Sequence, residues 1–387
     1  MRQKLGLPTP ERRTGLSAHD FLQTAAAPEA YLITRRRREG EPQVQSRWLW
    51  RLKTLCEGAG VHIKSRPDVL DWARALDCGL TDKPAALRPA KRPEPRPPVA
   101  ARPHSLSVTD VEVFVRDPYA IYARKILRLR PLDRPNEPVE ARQRGTAIHK
   151  SLERFVEEDR PLGTAGVVAL TGLLEDELSK THMSAAQIAL QRPLLPNMAR
   201  AVVEFEADRR AARPRLIIEG RGEIHVNVSG RDFALVAKAD RLEVRDGQTD
   251  ILDFKTGQPA SVKQVLAGFY PQLTLTAAIL KNGGFDGVAA RSVGDLMYVR
   301  VASDAVTQRP VYEKGVGNDD LADQALISLK RRLEAYSKPD KPYLSWTAPQ
   351  FLKNRGGDYD QLARLYEWYV LGDDETGDAE VDGAHDG

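Results

Sequence analysis

Cysteine is almost absent from this chain of 387 residues, which carries only Cys56 and Cys78. Two thiols supply neither a four-cysteine zinc site nor an iron-sulfur ligand set, and they read as ordinary buried thiols rather than a disulfide framework. Long apolar runs are also missing. No stretch approaches the ~20 apolar residues of a spanning helix. The opening MRQKLGLPTPERR lacks the apolar centre of a secretory signal, so the expectation is a cytoplasmic protein with no membrane partner. Aromatic residues make up only 6%, against 29% charged and 41% hydrophobic, which describes a soluble protein with real cores and a densely charged surface. No GxxxxGK sequence occurs, which excludes a Walker-type loop and leaves the chain without an ATP site. The net charge is +4, but residues 372–387 hold Asp373, Asp374, Glu375, Asp378, Glu380, Asp382 and Asp386 with no Lys or Arg. The remainder is correspondingly basic, as a polyanion-binding surface or a merely solvated one would be.

What is present centres on Phe233 to Gly257, FALVAKADRLEVRDGQTDILDFKTG. It reads as two strands joined by a turn at Asp246-Gly247, each with an acidic residue where a buried strand normally avoids one: Asp240 and Asp253. Side chains two apart share a strand face, so Asp253 and Lys255 point the same way, with the Phe254 carbonyl between them. Pairing across the turn brings Asp240 beside them. Two carboxylates and an ammonium at the end of a sheet suit a divalent metal and a lysine that orients a water. The competing reading is a structural Asp253-Lys255 ion pair.

Around this hairpin the chain divides by composition. Residues 1–83 read as a small, mostly helical unit, with a helix capped at Ser17, a short strand at Ala30 to Thr34, and an amphipathic helix over Ser46 to Cys56 carrying Trp48, Leu49, Leu52 and Leu55. Arg35 to Arg38 form a basic run, readable as phosphate-binding or as a solvated turn. Residues 84–104 hold seven prolines and read as a semi-rigid exposed linker. From Ser105 a second domain runs to about residue 371, and 372–387 reads as a disordered acidic tail. Ser107 or Thr109 caps a first helix, and Pro118 opens another. In RGTAIHKSLE, Gly145, His149 and Glu153 are four apart and share a helix face; a lone helical histidine is more often packing than a ligand, and the nearby carboxylates change that. Glu153 reads as a partner of His149 or as solvated surface. Two helices follow over 164–212, then strands over Leu216–Glu219, Gly222–Val228, Phe233–Val244 and Asp250–Phe254. Glu219 and Glu223 on these strands read as structural. A helix over Val262–Leu280 carries Gln272; a strand over Asp295–Val301, a helix over Leu321–Tyr336 and a last helix over Tyr359–Leu371 complete an α/β core with a mixed sheet.

The ordered set GxxxHxxxE at 145–153, Asp240, DFK at 253–255 and Gln272 resembles the PD-(D/E)XK nuclease superfamily in its RecB-like branch. RDPYAIYA at 116–123, AKADRLE at 237–243 and GFYPQL at 268–273 are similar to the nuclease domain of the B subunits of AddAB helicase-nucleases of alphaproteobacterial type. LPTPERRTGLSAHDF, APEAYLITR and SRWLWRL resemble the end of the helicase-like region that precedes it. The resemblance implies a restriction-endonuclease-like fold and a metal-dependent DNA exonuclease acting in double-strand-break repair with an AddA-like helicase-nuclease partner. It implies Mg2+ or Mn2+ held by His149, Asp240, Asp253 and the Phe254 carbonyl, with Asp240, Asp253, Lys255 and Gln272 as catalytic residues. Two departures stand out. The residue before Pro118 is Asp117 and no cysteine follows Cys78, so the iron-sulfur cluster of many such subunits is expected to be absent. Four residues after Gln272, where the family often has tyrosine, lies Thr276. The alternative readings are a catalytically silent DNA-binding or scaffold module and a free-standing RecB-like exonuclease.

Overall fold

A computed structural model describes residues 10–35, 37–38, 41–78, 91–130, 140–348 and 357–368. The chain forms two compact units, Met1–Arg88 and Pro89–Gly387. The first contains α1 (Pro10–Ala25), a two-residue antiparallel pair β1 (Arg37–Arg38) and β2 (Glu41–Pro42), α2 (Arg47–Gly58) and α3 (Pro67–Cys78). Ser17 lies in the middle of α1 rather than at its start, because Pro10 opens the helix seven residues earlier. The strand expected at Ala30 to Thr34 is irregular chain. Arg37 and Arg38 of the basic run lie in β1. Among the described residues of this unit, Leu49 is the one buried hydrophobic side chain.

The second unit opens with β3 (Ser105–Ser107), α4 (Val108–Arg116) and α5 (Pro118–Ile121), the last continued by a π-turn over Tyr122–Ile126. Ser107 and Asp110 form a reciprocal capping box that starts α4, and the Asp117 side chain accepts the Ala120 amide to start α5 behind Pro118. Four helices follow: α6 (Glu140–Glu157), α7 (Gly163–Ser179), α8 (Ala185–Gln191) and α9 (Leu195–Arg210). Then come β4 (Arg215–Val228), β5 (Arg231–Val244), β6 (Gln248–Lys255), α10 (Val262–Leu266), α11 (Gln272–Lys281), β7 (Ser292–Val301), β8 (Val306–Pro310), α12 (Asn318–Ala335) and α13 (Leu365–Trp368). The single helix expected over 262–280 is two, because Pro271 has no amide to continue it and Gly268 turns the chain at φ +78. Strand β8, absent from the sequence reading, is a largely exposed edge strand without an apolar alternation to announce it. The last helix begins at Leu365 rather than at Tyr359, and the residues after 368, the acidic tail among them, lie outside the described residues.

The sheet runs β4-β5-β6-β7-β8, with β3 parallel to the first half of β5. Pairs β4-β5, β5-β6 and β7-β8 are antiparallel and β6-β7 is parallel, giving the expected mixed sheet with a restriction-endonuclease-like layering. One face carries Leu235, Ala237, Ile251 and Tyr298 against α4, α11 and α12. The opposite face carries Leu252, Phe254, Met297 and Val299 against α6, α7 and α9. Since β4 occupies one edge of β5 throughout, β3 and β6 share the other, end to end.

Part of the stretch expected as an exposed linker is strapped to this unit instead. Arg102 is buried; its guanidinium donates to the carbonyls of Pro97, Tyr336, Lys338 and Pro339, and the Pro95 carbonyl accepts the Tyr343 amide. The carbonyls freed by a proline-rich, helix-free segment thus find donors inside the fold. At the position where the resemblance expects a cluster cysteine, the helix cap Asp117 sits near Asp360, which accepts the Trp346 indole N–H at 3.0 Å, while Tyr359 and Ala363 pack on Tyr119 and Ala123. The C-terminal segment is thereby fastened by packing and hydrogen bonds.

A buried ionic network ties α9 to the sheet. Arg241 donates to Glu206 at 2.5 Å and pairs with Glu243 at 2.9 Å; Arg209 bridges Glu243 and Asp250, which Arg245 also contacts. Gly294 is required beside it, because a Cβ there would lie 2.1 Å from an Asp250 carboxylate oxygen. Truncating Arg241→Ala leaves Glu206 and Glu243 buried without this partner, and the expected loss is about 3–5 kcal/mol. Urea unfolding of the variant against wild type measures it, and a loss below about 1 kcal/mol would show that Arg209 and Arg210 suffice alone.

Candidate active site

The site begins where two strands part. The β5-β6 ladder pairs Val244 with Thr249 and ends at Arg241-Leu252, so the next residues in that register, Asp240 and Asp253, face each other across the opening. Beyond it β6 stays paired to β7, with Asp253 level with Tyr298 and Lys255 with Arg300. The amide of Phe254 therefore loses its β5 partner, and the Asp240 side chain takes its place: Oδ2 accepts that N–H at 2.8 Å. A slip in the strand alternation presents Asp240 there. Ile217, Gly220 and Leu242 all face one side of the sheet, three residues apart on β4 rather than two or four, and Glu219 between them has φ +53.

On the α11 side, Lys255 Nζ lies 2.6 Å from Asp253 Oδ2, and Gln272 bridges the pair: its Nε2 donates to Asp253 Oδ1 at 2.5 Å while its Oε1 accepts from Lys255 at 3.4 Å. Pro271 places Gln272 in the first turn of α11, beside the strand end. The Thr276 hydroxyl, where the family often has tyrosine, donates back to the Gln272 carbonyl within the helix. From the opposite face, α6 brings His149. Its ring shares a small cavity with Asp240 and Phe254, and Nδ1 lies 3.8 Å from Asp240 Oδ2. Gly145, one turn earlier, allows this approach, since a Cβ there would meet the Thr256 hydroxyl at 3.1 Å. The structure thus brings together all of His149, Asp240, Asp253, the Phe254 carbonyl, Lys255 and Gln272.

Charge in this fork is costly. Burial pushes the Asp253 carboxyl up to about 6, and the Asp240 charge adds to it, while Lys255 and His149 oppose. Burial likewise pushes Asp240 up to about 6 against the Phe254 amide and Lys255, with the charge of Glu219 raising it further. Burial opposes the charge on Lys255, but Asp253 and Asp240 hold its pKa above the ordinary lysine value. Burial, with the charge of Lys255, lowers the pKa of His149 and favours the neutral imidazole, the form that ligates metals. Asp253 Oδ2 accepts no hydrogen bond of ordinary geometry despite the ammonium at 2.6 Å. Among the described residues no three His, Cys, Asp or Glu side chains close into a ready cage. The arrangement is an open one: hard oxygen donors, one neutral imidazole and a carboxylate oxygen with spare capacity, a donor set that fits Mg2+ or Mn2+.

The sequence reading gave no site role to three neighbours. Glu219, taken there as structural, lines a cavity of about 20 Å³ with His149, Glu153, Asp240, Arg241 and Phe254, room for about one water. Position alone would have found it, because it lies level with Asp240 in the β4-β5 register. Tyr298 is buried beside Asp253, its ring 6.0 Å from the Lys255 ammonium. Arg241 anchors the strand directly behind Asp240. Glu153 lines the same cavity but pairs with Lys150 at 2.6 Å rather than with His149, and Glu223 is exposed and pairs with His225. A separate cavity of about 310 Å³ between α4, α11 and α12, lined by Val111, Leu275, Leu329 and Arg332, shares none of these groups.

The pKa shifts fix a sign. A carboxyl whose pKa is raised on folding destabilises the native state when ionised, so that cost is present above about pH 6 and disappears as pH falls toward 4. In chelator at pH 8, Asp240→Asn is expected to be more stable than wild type by on the order of 1–2 kcal/mol. The advantage should vanish near pH 4. Urea unfolding across this range tests it, and a pH-independent difference would remove the desolvation account.

The profile of the PD-(D/E)XK nuclease superfamily matches residues 105–345, which contain every site residue above. An uncharacterized protein of Rickettsia bellii is 31% identical over 186 residues, 48% of this chain and 22% of the relative. One from Rickettsia felis is 28% identical over 279 residues, 69% of this chain and 32% of the relative. The chain thus spans under a third of the length of these relatives. A solved structure described as that of SSO0001 covers 59% of this chain and 76% of its own at 11% identity and a TM-score of 0.25, too distant to carry an argument. With the family profile covering more than half of the chain, on a mixed sheet layered between helices, the protein belongs to the PD-(D/E)XK nuclease superfamily.

Proposed function

We propose that the second unit hydrolyses DNA phosphodiesters with a divalent cation, Mg2+ or Mn2+, held by Asp240, Asp253, the Phe254 carbonyl and His149. The observation that carries this is the fork itself: two desolvated carboxylates face each other with a lysine against one of them. A cation bound there supplies Lewis acidity and lowers the pKa of a bound water. Asp253 and Gln272 hold the Lys255 ammonium at the mouth of the fork, where it orients the attacking water or meets the charge growing on the scissile phosphate. His149, whose burial favours the neutral imidazole, closes the opposite wall.

The wider role we infer is the exonuclease domain of an AddB-like subunit, working in the cytoplasm with an AddA-like helicase-nuclease partner on double-strand breaks for recombinational repair. Residues 1–83 would then be the end of a helicase-like domain, and 84–104 its connection to the nuclease. The length of the relatives supports this reading. So does the first unit, where Trp50, Leu55, Leu70, Trp72 and Leu76 are all exposed, as expected of helices that pack on further polypeptide. No helix among the described residues is long and apolar enough to cross a membrane.

Purified protein incubated with end-labelled linear single- and double-stranded DNA should cut in Mg2+ or Mn2+ and not in EDTA. Asp253→Ala and Lys255→Ala should each lower the rate on the order of 10²–10³-fold. Cleavage that persists in EDTA or in Asp253→Ala would sink the proposed chemistry.

A further inference from the structure

Past Asp253 the α11 face of the sheet carries a row of cations. Lys255 on β6 is level with Arg300 on β7. Both belong to that face, because Ile251 and Tyr298, an even number of residues back along each strand, pack toward α11 while Val299 and Val301 pack the other way. One strand further, Arg309 on β8 stands opposite Tyr298 and shares the face. Lys255 is compensated, since Asp253 holds its ammonium at 2.6 Å. Arg300 is not. Among the described residues its side chain makes no ion pair or hydrogen bond, although the residue is half-buried and its Nε is shut away from water. A guanidinium nitrogen buried without an acceptor costs free energy, and strands only about 4.8 Å apart set a second positive charge beside it. Arg309 donates to the carbonyls of Pro259 and Ala260 at 3.1 and 3.3 Å, which satisfies hydrogen bonds but leaves its charge unopposed. Glu112 of α4, whose charge reaches Lys255, is itself paired with Arg116 at 2.8 Å. A row of three cations with carboxylates only at its fork end is a poor arrangement by itself and a good one for a polyanion lying across the strand ends.

We propose that Arg300 grips a backbone phosphate of the substrate next to the scissile one, so that a DNA strand leaves the fork across the ends of β6 and β7 toward β8, where Arg309 meets it. The inference rests on the nuclease reading above and deepens it by naming the track of the substrate outside the metal site. Asp253 and Gln272 keep Lys255 for the reacting phosphate. Arg300, one strand away and free of carboxylates, is the cation left for its neighbour, and its planar fork of donors takes two oxygens of one phosphate. Such a contact fixes the strand's position without reading its bases.

The test is binding of an end-labelled single-stranded oligonucleotide to the full chain in EDTA, followed by fluorescence anisotropy across a series of KCl concentrations. Arg300→Gln should weaken binding and make the slope of log affinity against log salt shallower by about 0.7, the share of one phosphate contact on a single strand. Arg300→Lys, which keeps the charge, should restore the slope, and Arg309→Gln should remove a similar step. In Mg2+, Arg300→Gln should raise KM rather than lower kcat, as for a contact made equally before and during cleavage. A wild-type slope in Arg300→Gln would overturn the contact whatever the cleavage result, and a wild-type slope in Arg309→Gln alone would overturn the path toward β8. Loss of the step in Arg300→Gln, in a protein that cuts with no divalent cation, would support the contact and remove the nuclease reading. If Arg300→Gln fails to fold, as judged by circular dichroism and thermal melting, Arg300→Met decides, since it keeps an apolar stem without the charge.

Discussion

Separation of β5 from β6 after Arg241 and Leu252 is the constraint on which the rest of the unit depends. A sheet that stayed paired would have bound the Phe254 amide to backbone and pressed Asp240 against Asp253 with no room between them. Because the strands part, the Asp240 side chain satisfies that amide, and both aspartates are held out of bulk water. The rest of the architecture holds this opening at fixed width. Strand β7 keeps β6 straight from one side, and β4 follows β5 along its whole length from the other.

Helices on the two faces then supply different chemistry. The α11 face contributes Gln272 and places Lys255 against Asp253, so the mobile ammonium is tethered at both ends of its hydrogen-bonding reach. The α6 face contributes His149 through a close approach that Gly145 permits. Behind Asp240, the adjacent Arg241 is locked to Glu206 on α9 and to Glu243 on its own strand. Such a network stabilises little in net terms, because desolvation offsets much of the attraction, but it penalises any displacement of the strand. The position of Asp240 is therefore held through its neighbour in the strand, by ion pairs that border the same small cavity.

The same logic explains why the unit tolerates two carboxylates with pKa values near 6 in its interior. A site preorganised for a cation and a phosphate is strained without them, and that strain is stored in buried charge and in the backbone at Glu219.

Much of this was legible in the residues themselves. DFK fixes a shared face because strand side chains alternate, Asp246-Gly247 fixes the turn, and the turn fixes the register that sets Asp240 level with Asp253. The spacing of Gly145, His149 and Glu153 fixes a helix face in the same way. These are local geometries with one solution each. What the sequence did not disclose depends on partners distant in the chain. Glu219 looked structural because its importance lies in the slip of alternation and in the residue across from it. Arg241 drew no reading of its own, because its partner Glu206 lies on α9, 35 residues away. The proline-rich stretch looked exposed because the carbonyls that hold Arg102 belong to residues more than two hundred positions away. Local geometry is written in short spacings, whereas burial and charge pairing exist only once the chain has closed on itself.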